Sequence, residues 1–186
     1  MKKRVIRVGL DFDGVVAYNP FRVIRAPIKW FKREVLGIHK LTFFVPKNWW
    51  QRILWSVVHE SSVFPAKGVD LLREMAKRDD MEFHLVTARY GFLKDNLENW
   101  LDKYRVRNLF KSININEDQE QPHVYKLEVI ERLKLDYYVE DNLDIVTFVV
   151  EKTRAKIFWI YNFMDKRHEY PFKFLYLGAA LEAIGL

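Results

Sequence analysis

The chain has 186 residues, 49% hydrophobic and 30% charged, which suits one globular domain, or a core with a small insertion, and excludes a disordered segment. Cysteine is absent, so disulfides, thiolate metal sites and cysteine nucleophiles are excluded, and this usage fits a cytoplasmic protein. The net charge of +6 is confined to residues 17–62, which hold eight basic and two acidic residues and four of the six tryptophans, so the remainder is neutral.

The basic start, Met1-Lys2-Lys3-Arg4, is followed by an apolar run broken by Arg7, too short for a signal peptide. No stretch is long and apolar enough to span a bilayer. Val5 to Leu10 reads as a buried strand, and it ends in Asp11-Phe12-Asp13-Gly14. Gly14 permits a sharp turn just past the strand, so Asp11 and Asp13 can face one crevice. That edge of an open α/β sheet is where ligands bind. Two close carboxylates repel unless a cation lies between them, and one can attack while the other moves a proton.

Next comes the basic segment. Asn19-Pro20 reads as a helix start, and Phe21, Ile24, Ile28, Phe31, Val35 and Ile38 recur at helical spacing. Arg22, Arg25, Lys29, Lys32 and Arg33 occupy the rest of that wheel. A second helix is predicted from Pro46 to about His59, with Trp49, Trp50, Ile53, Leu54, Val57 and Val58 on a broad apolar face. Together they predict a small helical cap over residues 17–62, inserted after the first strand, with the core formed by 1–16 and 63–186.

Helices and strands then alternate. A helix is predicted from Val69 to Lys77 and a strand from Glu82 to Val86, ending in Thr87-Ala88-Arg89. A helix from Phe92 to Tyr104 and a short strand from Lys111 to Asn116 follow. Pro122 opens a helix carrying Lys126, and Asp136 to Val139 is a strand ending in Glu140-Asp141-Asn142. A helix from Leu143 to Glu151, a fifth strand from Lys156 to Tyr161 and a closing helix from Leu175 to Ile184 complete the chain. The pattern predicts an α/β fold: a doubly wound, Rossmann-like parallel sheet of five strands.

Four sites thus fall at strand ends or helix starts: Asp11/Asp13, Thr87, Lys126 and Glu140/Asp141. Singly, each has an ordinary explanation. Thr87 can cap a helix, Lys126 can be a solvated lysine, and Glu140-Asp141 can be turn residues. In this order and combination they resemble the haloacid dehalogenase-like (HAD) superfamily. Asp11-Phe12-Asp13-Gly14-Val15 matches its first motif, Leu85-Val86-Thr87-Ala88-Arg89 its second, Lys126 its third and Glu140-Asp141 its fourth.

The resemblance implies the strand order 3-2-1-4-5 for the sheet and a magnesium-dependent phosphomonoester hydrolase. Asp11 would be the nucleophile that becomes an aspartyl-phosphate, and Asp13 the acid and base. Thr87, Ala88, Arg89 and Lys126 would bind the phosphoryl group, with bracing of the loop as the alternative for Arg89. Asp11, Asp13 through its main-chain carbonyl, and Asp141 would hold Mg2+, with Glu140 reaching it through water. Val15 stands where threonine is common, and Glu-Asp replaces Asp-Asp. Asp13 argues against dehalogenase chemistry, where the second acid is lacking.

The expected substrate is a small phosphorylated molecule, with nucleotides as one candidate class. Arg22, Arg25, Lys29 and Arg33 are the cap residues expected to attract it. The alternative is a non-catalytic module that docks nucleic acid or an anionic membrane through the basic cap. The tryptophan-rich second cap helix also offers a surface for oligomerisation.

Overall fold

The computed structural model describes residues 4–20, 48–59 and 63–185. The first predicted cap helix, with Arg22, Arg25, Lys29 and Arg33, lies outside them.

The first strand, β1 (Ile6–Leu10), is the centre of the main sheet. It is flanked by β4 (Met81–Tyr90) and β6 (Tyr137–Glu140), with β5 (Ser112–Asn116) beyond β4 and β7 (Lys156–Ile160) beyond β6. Every ladder in this sheet is parallel. The five predicted strands therefore occur in the predicted order. A sixth, β8 (Lys173–Phe174), extends the sheet beside β7 through the pair Trp159↔Lys173. Two residues beside Pro171 carry no readable alternation, so sequence periodicity missed it.

Helices cover both faces, which is why the inner strands are apolar on successive residues. On one face α2 (Val69–Met75), α3 (Lys94–Lys103) and α6 (Leu177–Gly185) pack Leu72, Leu97, Leu101 and Leu181 against Val8, Leu10, Leu85 and Phe158. On the other, α4 (Pro122–Leu133) and α5 (Leu143–Val150) pack Val129, Ile130, Val146 and Val149 against Val86, Tyr138, Ile157 and Trp159. Gly9 belongs to this packing, because a Cβ there would come within 2.4 Å of the Leu135 side chain.

Where the chain leaves the core, β2 (Ala17–Tyr18) pairs antiparallel with β3 (Phe64–Pro65), where it returns. This ladder joins the chain on either side of residues 19–63. The predicted second cap helix is present as α1 (Trp49–His59). Its predicted apolar face is not a buried one throughout: Trp49, Trp50 and Ile53 are 75%, 53% and 55% exposed. Periodicity defines an apolar arc but not what covers it.

Candidate active site

The first motif is shaped by alternation and one glycine. The Asp11 N–H donates to the Val139 carbonyl at 3.0 Å, which extends the β1 ladder by one residue. Phe12 turns into the core, edge-on to Trp100 at 4.9 Å. The Phe12 carbonyl then accepts from the Val16 and Ala17 N–H groups at 3.1 and 2.9 Å, closing a tight loop. Gly14 adopts φ +88° in that loop, a conformation that favours glycine. Asp11 and Asp13 thus flank a core anchor at the carboxyl edge of the sheet.

The third and fourth motifs meet Asp11 across the β1–β6 ladder. Lys126, buried on α4, places Nζ 3.0 Å from Asp11 Oδ1 and 2.7 Å from Glu140 Oε2. Pro122 at the helix start sets the frame that points Lys126 inward one turn later. Glu140 is completely buried and richly bonded. Its Oε2 also accepts from the Tyr138 hydroxyl at 3.0 Å, and its Oε1 from the Asp141 and Asn142 N–H groups at 3.1 and 3.0 Å.

Burial, then the Glu140 carboxylate, pushes the Asp11 carboxyl well above the ordinary carboxylate range, against the pull of Lys126. Burial opposes the charge on Lys126, but Asp11 and Glu140 outweigh it and raise its pKa. Burial, followed by Glu140, likewise raises the Tyr138 hydroxyl.

The second motif differs from the prediction. The strand does not stop at Val86 but runs to Tyr90. Its pairing with β5 jumps from Thr87↔Ile115 to Tyr90↔Asn116, so Ala88 and Arg89 form a bulge. A bulge re-aims side chains. Arg89 is aimed at Asp13: Nε donates to Oδ2 and Nη2 to Oδ1, both at 2.8 Å. Thr87 is buried, and its Oγ1 accepts from the Arg89 N–H at 3.2 Å.

No protein-family model matches the sequence, and no curated protein matches it. Solved structures do match. A Thermotoga maritima protein described as a beta-phosphoglucomutase aligns with TM-score 0.60 and 16% identity, covering 97% of this chain and 99% of that one. CbbY from Rhodobacter sphaeroides, solved in complex with phosphate, aligns with TM-score 0.57 and 15% identity over 96% of this chain and 99% of its own. The HAD-hydrolase YfnB from Bacillus subtilis, bound to magnesium, aligns with TM-score 0.58 and 13% identity over 99% and 100%. The chain has a haloacid dehalogenase-like fold. Likeness at these identities fixes architecture and leaves chemistry to the site.

In this HAD-like core, one oxygen from each of Asp11, Glu140 and Asp141 lies within 4.8 Å of the others. Among the described residues, this edge carries with Asp13 four carboxylates against the two cations Lys126 and Arg89. An all-oxygen donor set with an excess of negative charge fits a hard divalent cation such as magnesium.

The HAD-like fold thus gathers Asp11, Lys126, Glu140 and Asp141 into one cluster, with Asp13 and Arg89 paired beside it. Asp144, one turn beyond Asp141, lies in the first turn of α5, where its N–H donates to the Asn142 side chain at 3.2 Å. Asn162 caps the short turn at Phe163–Asp165 through Asp165. Three contributors were missed in the sequence. Tyr138 shares a strand face with Glu140, a period-two signal that was available. Trp159, whose Nε1 donates to the Asp141 carbonyl at 3.3 Å, and Asn96, which bonds Arg89, gave no local signal.

Proposed function

We propose that this protein is a magnesium-dependent phosphomonoesterase that works through a phosphoryl group carried on Asp11. The observation that carries the reading is the buried Lys126, held between Asp11 and Glu140 at the edge where Asp13 and Asp141 also lie. A bare structural ion pair needs one partner for the lysine. Here a second, buried carboxylate fixes it from behind, and the ammonium stays aimed at Asp11.

In the first step an Asp11 oxygen bonds to phosphorus as the bond from phosphorus to the leaving oxygen breaks. The Asp13 carboxyl gives its proton to that oxygen. In the second, Asp13 takes a proton from water as the water oxygen bonds to phosphorus. The bond from Asp11 to phosphorus breaks, releasing phosphate and restoring both carboxyls. Lys126 restrains Asp11 and offsets charge on the phosphoryl oxygens, and the Thr87 hydroxyl donates to one of them. Asp11, Asp141 and the Asp13 carbonyl would hold magnesium, which supplies charge neutralisation for phosphate beside carboxylates. Glu140, already accepting at both oxygens, serves chiefly to hold Lys126.

The inserted segment is assigned to substrate selection as a cap over residues 17–62. Its helix α1 reaches the core where Arg52 lies over the Phe92 ring at 5.6 Å, just past β4. Its excess of basic charge favours an anionic substrate, with nucleotides the leading class. The test is phosphate release from p-nitrophenyl phosphate and a panel of phosphorylated metabolites, with and without magnesium. Turnover that needs magnesium is expected. Turnover unchanged in EDTA removes the metal, and no turnover of any ester favours the docking-module reading. Reversing two of Arg22, Arg25, Lys29 and Arg33 to glutamate should raise KM for the preferred substrate and leave p-nitrophenyl phosphate little changed.

A further inference from the structure

We infer that Arg89 is a positioning residue for Asp13 and not a ligand of the substrate phosphate. The inference rests on the phosphomonoesterase reading, and it differs from the substrate-binding role that the motif match implies for this residue.

The geometry is specific. The Arg89 side chain is 1% exposed, while the carboxylate it grips is 22% exposed. Two parallel bonds of 2.8 Å hold both Asp13 oxygens, a fork-on-fork pairing that fixes the carboxylate plane as well as its place. The third nitrogen, Nη1, donates to Asn96 Oδ1 on α3 at 2.7 Å. The guanidinium face lies over the Phe12 ring, 4.6 Å from its centroid, and Phe12 is itself locked against Trp100 of α3. The β4 bulge, α3 and the first-motif loop therefore converge on one guanidinium. With its side chain 1% exposed, the guanidinium reaches a substrate phosphate in the crevice only by moving out of this setting.

Asp13 needs this support more than Asp11 does. Asp11 is tied into the β1–β6 ladder through its own N–H, whereas Asp13 sits in a loop where the strand has ended. A fork bond uses one lone pair on each carboxylate oxygen and leaves another on each for a proton. The clamp is thus compatible with proton transfer while it removes the rotamer freedom that would misplace it. A small misplacement of a reacting group can cost 10²-fold in rate.

The experiment exploits the leaving group. Wild type, Arg89→Gln, Arg89→Lys and Asn96→Ala are assayed for kcat/KM on two substrates. One is p-nitrophenyl phosphate, whose leaving group needs little protonation. The other is the alkyl phosphomonoester that wild type hydrolyses fastest. Inhibition by inorganic phosphate is measured on each. For Arg89→Gln we expect kcat/KM on the alkyl ester to fall about 10²-fold, a much smaller loss on p-nitrophenyl phosphate, and an unchanged inhibition constant for phosphate. Arg89→Lys, which keeps the charge but not the fork, should recover only part of the loss. Equal losses on both esters, or a phosphate inhibition constant that rises with the loss, would overturn the inference in favour of a structural or a phosphate-binding role. If Arg89→Gln does not fold, Asn96→Ala, which keeps the buried cation, decides the matter by the same leaving-group split. A wild type inactive on every ester refutes the phosphomonoesterase reading itself, an outcome separate from any of these.

Discussion

At the scale of single residues, the cluster around Lys126 divides two carboxylates that look alike in sequence. Glu140 is buried and accepts from Lys126, Tyr138 and two backbone N–H groups. Removing its charge leaves a buried ammonium with Asp11 alone, so Glu140→Gln should cost about 3–5 kcal/mol in stability, measured by urea denaturation. Asp141→Ala should instead lower magnesium affinity, read by titration of the metal, with a far smaller loss of stability. The reverse pattern would exchange their assignments. Asp11→Asn should abolish phosphate release while the protein still melts cooperatively, since Asp11 lies past the strand end. Asp13→Asn should slow turnover roughly 10²–10⁴-fold, as expected of a group that moves protons.

Elements differ in what their apolar residues do. Leu97 of α3 is completely buried against the sheet, and Leu97→Ala should cost about 2–5 kcal/mol through the cavity it leaves. Trp49 of α1 is as apolar but three-quarters exposed. Trp49→Lys should therefore change stability by no more than about 0.5 kcal/mol, as at other surface positions. A large loss in thermal denaturation would mean that this tryptophan is packed in solution. The bulge in β4 carries a separate lesson. It adds two residues between the pairs at Thr87 and Tyr90, and that offset swings Arg89 towards Asp13.

Stability of the whole molecule should depend on pH through the buried His84. Burial lowers the His84 pKa below 6.5, with Arg7 and Lys111 adding to the effect and Glu82 opposing it. The unfolded chain then binds a proton at a pH where the folded one does not. Stability is complete above about pH 6.5 and declines as pH falls through the folded value. The drop in Tm between pH 7.5 and 5.5 should be smaller in His84→Gln than in wild type. Parallel profiles for the two would assign the acid sensitivity to other groups. Among the described residues no helix is long and apolar enough to cross a membrane.

Local pattern was sufficient for the five long strands and the helices between them, while the strand order came with the resemblance carried by Asp11, Thr87, Lys126 and Glu140. Apolar runs of strand length alternated with amphipathic helices, and Asp11, Thr87, Lys126 and Glu140 each stood at the end of one or the start of the next. Those signals depend only on residues a few positions apart. What remained hidden depended on partners distant in the chain. That Arg89 grips Asp13 spans 76 positions, and that Asn96 braces Arg89 follows from α3 lying against the bulge. That Glu140 accepts from Lys126 joins a helix to a strand 14 positions further on. The outward face of α1 turned on what lies opposite it. A sequence records which groups can form charge pairs and apolar faces. Only the folded chain decides which of them meet, because burial and direction arise from packing between elements and not from order along the chain.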